Sequence, residues 1–325
     1  MTAATSANRL QLDYRAVPAR KTNGAIWDIH THVYAGTQAA AFFEAARLYG
    51  VTRVLSMTPL EDVPALRDAF GDALGFIAIP NWRRMDASAD FRRQWIADLA
   101  EFRRRGARLC KFWMAPPMRQ RAGFTVDHPF IRPVVDAALD LGFEFMIHVG
   151  DPAEWFQPGA RYADARVFGT KDDQYPQLQW LANYVAPRTV VAAHMAGSME
   201  DTARLQRLLD LHPNLVLDSS ATKWIVRAVA QQPDAARAFL LKNSNRVLFG
   251  SDLVATSQYP DFDHYASRYW VHRQMWESAY RGESPIDDPD AVGPPQLAGL
   301  DLPPDVLTRM YRENARRLAI TSFSE

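Results

Sequence analysis

Eight short apolar runs, separated by stretches of helical periodicity, constrain the fold of this chain more than any other feature. The runs cover 25–30, 51–57, 75–79, 107–113, 143–148, 189–194, 214–218 and 246–250. Each is rich in Val, Ile, Leu or Phe, as expected of strands buried on both faces of a parallel sheet. Between them, stretches such as 39–49, 90–105, 130–141, 199–211 and 221–241 repeat apolar residues at helical spacing. Gly50, Gly106 and Gly142 each follow a helical stretch and precede a strand-like run, the place where a helix most easily stops. Eight strands alternating with helices predict an α/β fold, a (β/α)8 TIM-like barrel. At 325 residues the chain accommodates one such domain over 25–325, after a polar leader over 1–24. Beyond residue 253 the pattern changes to an aromatic helix over 262–280, a Pro- and Asp-rich loop over 284–304 and a closing helix over 305–319. So long a loop makes 253–304 a C-terminal helical and loop extension, covering either the barrel mouth or a subunit surface.

Composition narrows the partners. Lys plus Arg and Asp plus Glu each total 37, so there is no basic excess to hold a nucleic acid. The one basic run, Arg103 to Arg105, ends a predicted helix, where cations complement the dipole. No apolar stretch nears the ~20 residues that span a bilayer, and the first residues lack the apolar core of a secretory signal. A cytoplasmic protein without a membrane partner is expected. Cys110 is the single cysteine, which excludes an intrachain disulfide or a cysteine-cluster metal site, and its apolar run predicts a buried strand position.

The polar residues that end these runs carry the functional signal. In a barrel, side chains at the C-terminal ends of strands converge on one mouth. The first run ends Asp28-Ile29-His30-Thr31-His32, where period-two alternation puts both histidines on one side. The fifth ends at His148, the sixth at His194 and the eighth at Asp252. Imidazoles with a carboxylate are donors favoured by zinc and similar divalent ions. His128 and His212 precede prolines in connections, and His264 and His272 lie on the late helix. Packing or surface roles are expected for these four, with His264 or His272 lining a lid as the alternative.

The DxHxH, IHVG, AHMAG and FGSD segments, with the closing YRENARRL, resemble the amidohydrolase superfamily. More narrowly they resemble the branch containing aminocarboxymuconate semialdehyde decarboxylase and γ-resorcylate decarboxylase. The resemblance runs from Asp28 to Leu318 and departs at Ala196, where relatives usually carry glycine. It implies that His30, His32, His148 and Asp252 hold a divalent metal and that His194 is the acid/base or electrophilic residue. One Zn2+ is expected, with Mn2+ or a second ion as alternatives. In a two-metal site a carboxylated Lys111 would bridge the ions, and His148 and His194 would move to the second.

The expected activity is metal-dependent hydrolysis of a C–N or C–O bond in a small molecule. Asp252 would take a proton from water, and His194 would polarise the carbonyl. The alternatives are non-oxidative decarboxylation of an unsaturated or aromatic acid, using the same groups, and a non-catalytic metal- or ligand-binding barrel. Trp113, Trp155, Lys171 and Lys223 follow strands four, five and seven and are candidate substrate contacts. Tyr265, Tyr269, Trp270 and Trp276 on the late helix either pack on the barrel or form an interface, and a homodimer is expected.

Overall fold

Strands form where the apolar runs predict them. The computed structural model describes residues 7–323, so the first six residues of the expected leader lie outside it. The strands are β1 (Ile26–Val33), β2 (Val51–Ser56), β3 (Leu74–Ala78), β4 (Leu109–Trp113), β5 (Glu144–His148), β6 (Val190–Ala192), β7 (Leu215–Asp218), β8 (Val247–Leu248) and β9 (Leu253–Ala255). All pair in parallel, in the order β8-β7-β6-β5-β4-β3-β2-β1-β9. The two ends of that order adjoin in the chain, because β8 and β9 are halves of one interrupted eighth strand. Between them, Ile29 donates its amide to Phe249 and Asp252 donates to His30, so the segment 249–252 lies along β1. The fold is a TIM-like (β/α)8 barrel.

Two apolar layers hold it. Outside, the helices pack on the strands, as when Phe102, Phe112, Val135, Leu181 and Leu240 leave water together. Inside, Trp27, Ile29, Leu109, Met146, Val191, Val216 and Leu248 fill the barrel floor. Gly50, Gly106 and Gly142 take φ of +84°, +93° and +73°, the left-handed stop that a side chain resists. Cys110 is fully buried on β4.

The helical stretch 221–241 forms two helices, Thr222–Gln231 and Pro233–Lys242. Pro233 has no amide to continue the first helix and is suited to open the second. The aromatic helix spans Phe262–Glu277, and its Tyr265, Tyr269, Trp270 and Trp276 are buried within the chain. Tyr265 and Tyr269 pack on Phe42, which lies on the helix after β1. The leader joins the same layer: Tyr14 is buried, and the Lys21 amide donates to Glu277. Within the extension, β10 (Arg281–Glu283) and β11 (Gln296–Ala298) pair antiparallel. No helix among the described residues is long and apolar enough to cross a membrane.

Candidate active site

The floor and the site are successive layers of the same strands. Leu109, Met146 and Val216 point into the barrel, and two residues further on the same inward face carries Lys111, His148 and Asp218. β1 departs from this regularity. Asp28 pairs with Val54 but Thr31 with Ser56, so β1 spends three residues where β2 spends two. That bulge resets the alternation after Ile29 and lets both His30 and His32 reach the mouth. Asp28 stays beneath, accepting from the Ser251 amide and hydroxyl and from Tyr269, and burial pushes its carboxyl up to about 6.

A buried network orients the imidazoles. Asp218 accepts from His30 Nδ1 at 2.8 Å, from the His194 amide at 2.9 Å and from the Ser220 hydroxyl. His194 Nδ1 lies 2.7 Å from Ser220 Oγ. Since Ser220 gives its proton to Asp218, its oxygen accepts from His194, an assignment that follows from the network. His30 and His194 therefore both keep Nε2 outside this network, that of His30 lying 3.4 Å from Asp252 Oδ1. Burial alone would raise Asp218, yet His30, His194 and Lys111 hold it well below the usual carboxylate range. Burial, with His148, His30 and Lys111 nearby, drives His194 far down, so it is neutral at pH 7. His148 Nε2 pairs with Asp151 at 2.8 Å, and its ring packs edge-on to His194 with centroids 4.6 Å apart.

The donor atoms suit a divalent ion. His30 Nε2 lies 3.4 Å and His32 Nε2 3.2 Å from Asp252 Oδ1. Ligand atoms about 2.1 Å from a tetrahedral ion stand roughly 3.4 Å apart, so each histidine is spaced from Asp252 as zinc would require. The Asp218–His30 pair adds the outer carboxylate that such a histidine usually has. Asp252 remains ionised: burial would raise it, but His194, His30 and His32 hold it well down. Lys111 Nζ is 3.4 Å from His30 Nε2, and burial lowers it to about 8. A protonated Lys111 would oppose an ion there, and a neutral one would not. His148 stands outside the tight trio, tied to Asp151. A second convergent set, His30, His194 and Asp218, lies deeper.

The backbone at the mouth is strained. His194, Met195 and Ala196 have φ of +57°, +51° and +52°, and Asp252 has +59°. Each left-handed non-glycine costs roughly 1–2 kcal/mol, and such costs concentrate at functional sites. A Cβ at Gly197 would sit 2.3 Å from the Gly150 carbonyl oxygen, so the loops after β5 and β6 cross backbone to backbone. Lys171 clasps that crossing by donating to the Asp151 and Gly197 carbonyls, and it pairs with Glu200 at 3.2 Å.

Comparison with known proteins gives the family and the fold. The amidohydrolase family profile matches residues 30–318. The chain belongs to the amidohydrolase family. No curated protein sequence matches this family member. Among solved structures it resembles an uncharacterised TIM-barrel protein from Bordetella bronchiseptica at 16% identity and TM-score 0.53, covering 91% of this chain and 98% of that one. A Burkholderia multivorans amidohydrolase with bound zinc aligns at 13% identity and TM-score 0.53, covering 92% and 100%. A Novosphingobium aromaticivorans 5-carboxyvanillate decarboxylase, in complex with manganese and a nitrobenzoic acid, aligns at 12% identity and TM-score 0.51, covering 94% and 99%. At these identities the likeness concerns the fold.

The expected substrate contacts of this amidohydrolase fall in different places. Lys223 lines an open cleft of about 240 Å³ that also contains Asp252. Trp113 pairs in register with His148 and turns toward Trp82. Trp155 packs edge-on to Trp224 and beneath Arg161. Lys171 is absent from the lining of that cleft, and its ammonium is engaged by the clasp above. Of the other histidines, His264 lines the Asp252 cleft, while His272 is buried against Thr222 at 3.0 Å. Residues not anticipated include Asp218, Ser220, Asp151, Arg268 and Trp224, whose ring lies 5.4 Å from His194. Asp218 ends the seventh run, so the strand-end rule itself could have found it.

Proposed function

We propose that this amidohydrolase is a metal-dependent hydrolase cleaving a C–N or C–O bond of a small molecule. His30, His32 and Asp252 would hold one divalent ion, zinc in the first instance, with His148 as the fourth donor. The observation that carries the proposal is the convergence of that trio beside a buried, neutral His194. A divalent ion so held is a Lewis acid that acidifies water and polarises a substrate oxygen. The protein's own groups manage the proton. His194 Nε2, kept as a lone pair by the Ser220 bond, accepts it first and returns it to the leaving group. Of the two roles that the resemblance implies for His194, acid/base and electrophilic, this takes the first. The Asp252 carboxylate stabilises the imidazolium that results, since its charge raises the proton affinity of His194.

Decarboxylation of an unsaturated or aromatic acid is the second proposal, favoured by Lys223 and Arg268 lining the cleft beside Asp252. His194 would then protonate the carbon that loses carbon dioxide. Elemental analysis of the purified protein, followed by ester, lactone and amide panels beside aromatic acids, tests both. About one equivalent of metal with hydrolytic turnover supports the first, and turnover of acids alone supports the second. A protein that neither retains nor rebinds metal would sink both.

A further inference from the structure

We propose that Lys223 and Arg268 form a subsite for a carboxylate of the substrate, in the lining of the cleft that contains Asp252. The proposal rests on that cleft being the substrate cleft of the hydrolase or decarboxylase described above.

Both cations line the cavity that contains Asp252. Lys223 occupies the first turn of Thr222–Gln231, a helix with no side-chain cap. A cation there opposes the helix dipole and adds to the positive potential of the unpaired amides. Arg268 comes from the aromatic helix on the other side and donates from Nη1 to the His264 carbonyl and the Ser267 hydroxyl, both neutral acceptors. The acidic residues whose charges reach Lys223 are engaged by other arginines. Asp287 pairs with Arg9 at 3.1 Å, Asp288 with Arg227, and Asp290 with Arg161 at 3.1 Å. The two cations also act on each other. Burial and then Arg268 lower Lys223, while burial brings Arg268 down to about 10. His264, in the same wall, falls to about 3 through burial and both cations, so it stays neutral. Two desolvated like charges facing one cavity are costly unless an anion completes them. The half-buried Trp224 adjoins Lys223 in the same lining and presents a flat apolar wall beside His194, so a carboxylate on a planar or unsaturated group fits both features.

Benzoate is the probe. Its binding to the full-length protein, metal-loaded and chelator-stripped, would be followed by calorimetry and tryptophan fluorescence. The expected result is that Lys223→Gln and Arg268→Gln each weaken benzoate by about tenfold or more while Arg268→Lys restores part of the affinity, and that benzyl alcohol does not compete. Should Arg268→Gln fail to fold, the more exposed Lys223→Gln carries the comparison. Unchanged affinity in Lys223→Gln, or equal binding of benzyl alcohol, would overturn the subsite, and so would sulfate displacing benzoate equally well. Loss of binding on stripping, with Lys223→Gln unaffected, would put the carboxylate on the metal and leave the metal centre standing. Binding retained by a protein that takes up no metal would keep the subsite and remove the hydrolase proposal.

Discussion

Asp218 accepts the Nδ1 proton of His30 at 2.8 Å in full burial, and that bond decides which ring nitrogen faces Asp252. Replacing Asp218 by Asn keeps the shape and removes the charge. Outer partners of this kind typically account for 10- to 100-fold in metal affinity. Asp218→Asn is therefore expected to bind zinc about 10- to 100-fold more weakly in a chelator competition, with the barrel intact by circular dichroism. Equal affinity would show that His30 is not a ligand.

His194→Ala separates proton transfer from metal binding. The expected outcome is a fall in kcat of roughly 10²- to 10⁴-fold with metal content unchanged. Loss of the metal in this variant would instead make His194 a ligand, as in the deeper set with His30 and Asp218.

Lys171→Met tests the clasp over the β5 and β6 loops. Two carbonyls lose a charged donor, and each such bond contributes about 1.5–3 kcal/mol. A lowered melting temperature and reduced kcat are expected, with KM little changed, because the ammonium is engaged by the Asp151 and Gly197 carbonyls and by Glu200. A large rise in KM alone would return Lys171 to the substrate.

His272 gives a pH signature of stability. Burial lowers it to about 3, against 6.5 when unfolded. Between those values the unfolded chain takes up a proton that the folded one refuses, so the contribution is complete above about 6.5 and declines as pH falls. At ~1.4 kcal/mol per unit, a drop from pH 6.5 to 5 is worth about 2 kcal/mol. Urea midpoints should therefore fall over this window in the parent and less in His272→Phe. Parallel slopes would contradict the assignment.

The strands were legible because burial on both faces leaves continuous apolar runs, and the left-handed glycines marked where helices stop. The strand-end rule likewise picked out His30, His32, His148, His194 and Asp252, since alternation along a strand is local. Asp218 obeyed the same rule and passed unnoticed beside the histidines. Ser220, Asp151 and Arg268 lie in loops or on a helix, and only the closed ring brings them to the site. Lys171 also follows a strand, and its carbonyl acceptors at Asp151 and Gly197 lie on two separate loops that no local pattern connects. Pro233 announced the break in the 221–241 stretch, but helical periodicity on both sides concealed it.

The interruption of the eighth strand has a consequence for biosynthesis. His30 and Asp252 belong to the first and last staves of the barrel, 222 residues apart in the chain. Four imidazoles leave the ribosome well before the carboxylate does, in a chain whose sheet still has two free edges. The trio exists only once the segment around Phe249 to Leu253 docks along β1, so closing the ring is also what creates the donor set. A nascent chain arrested short of residue 252 would carry His30, His32, His148 and His194 and still lack the carboxylate that completes the trio.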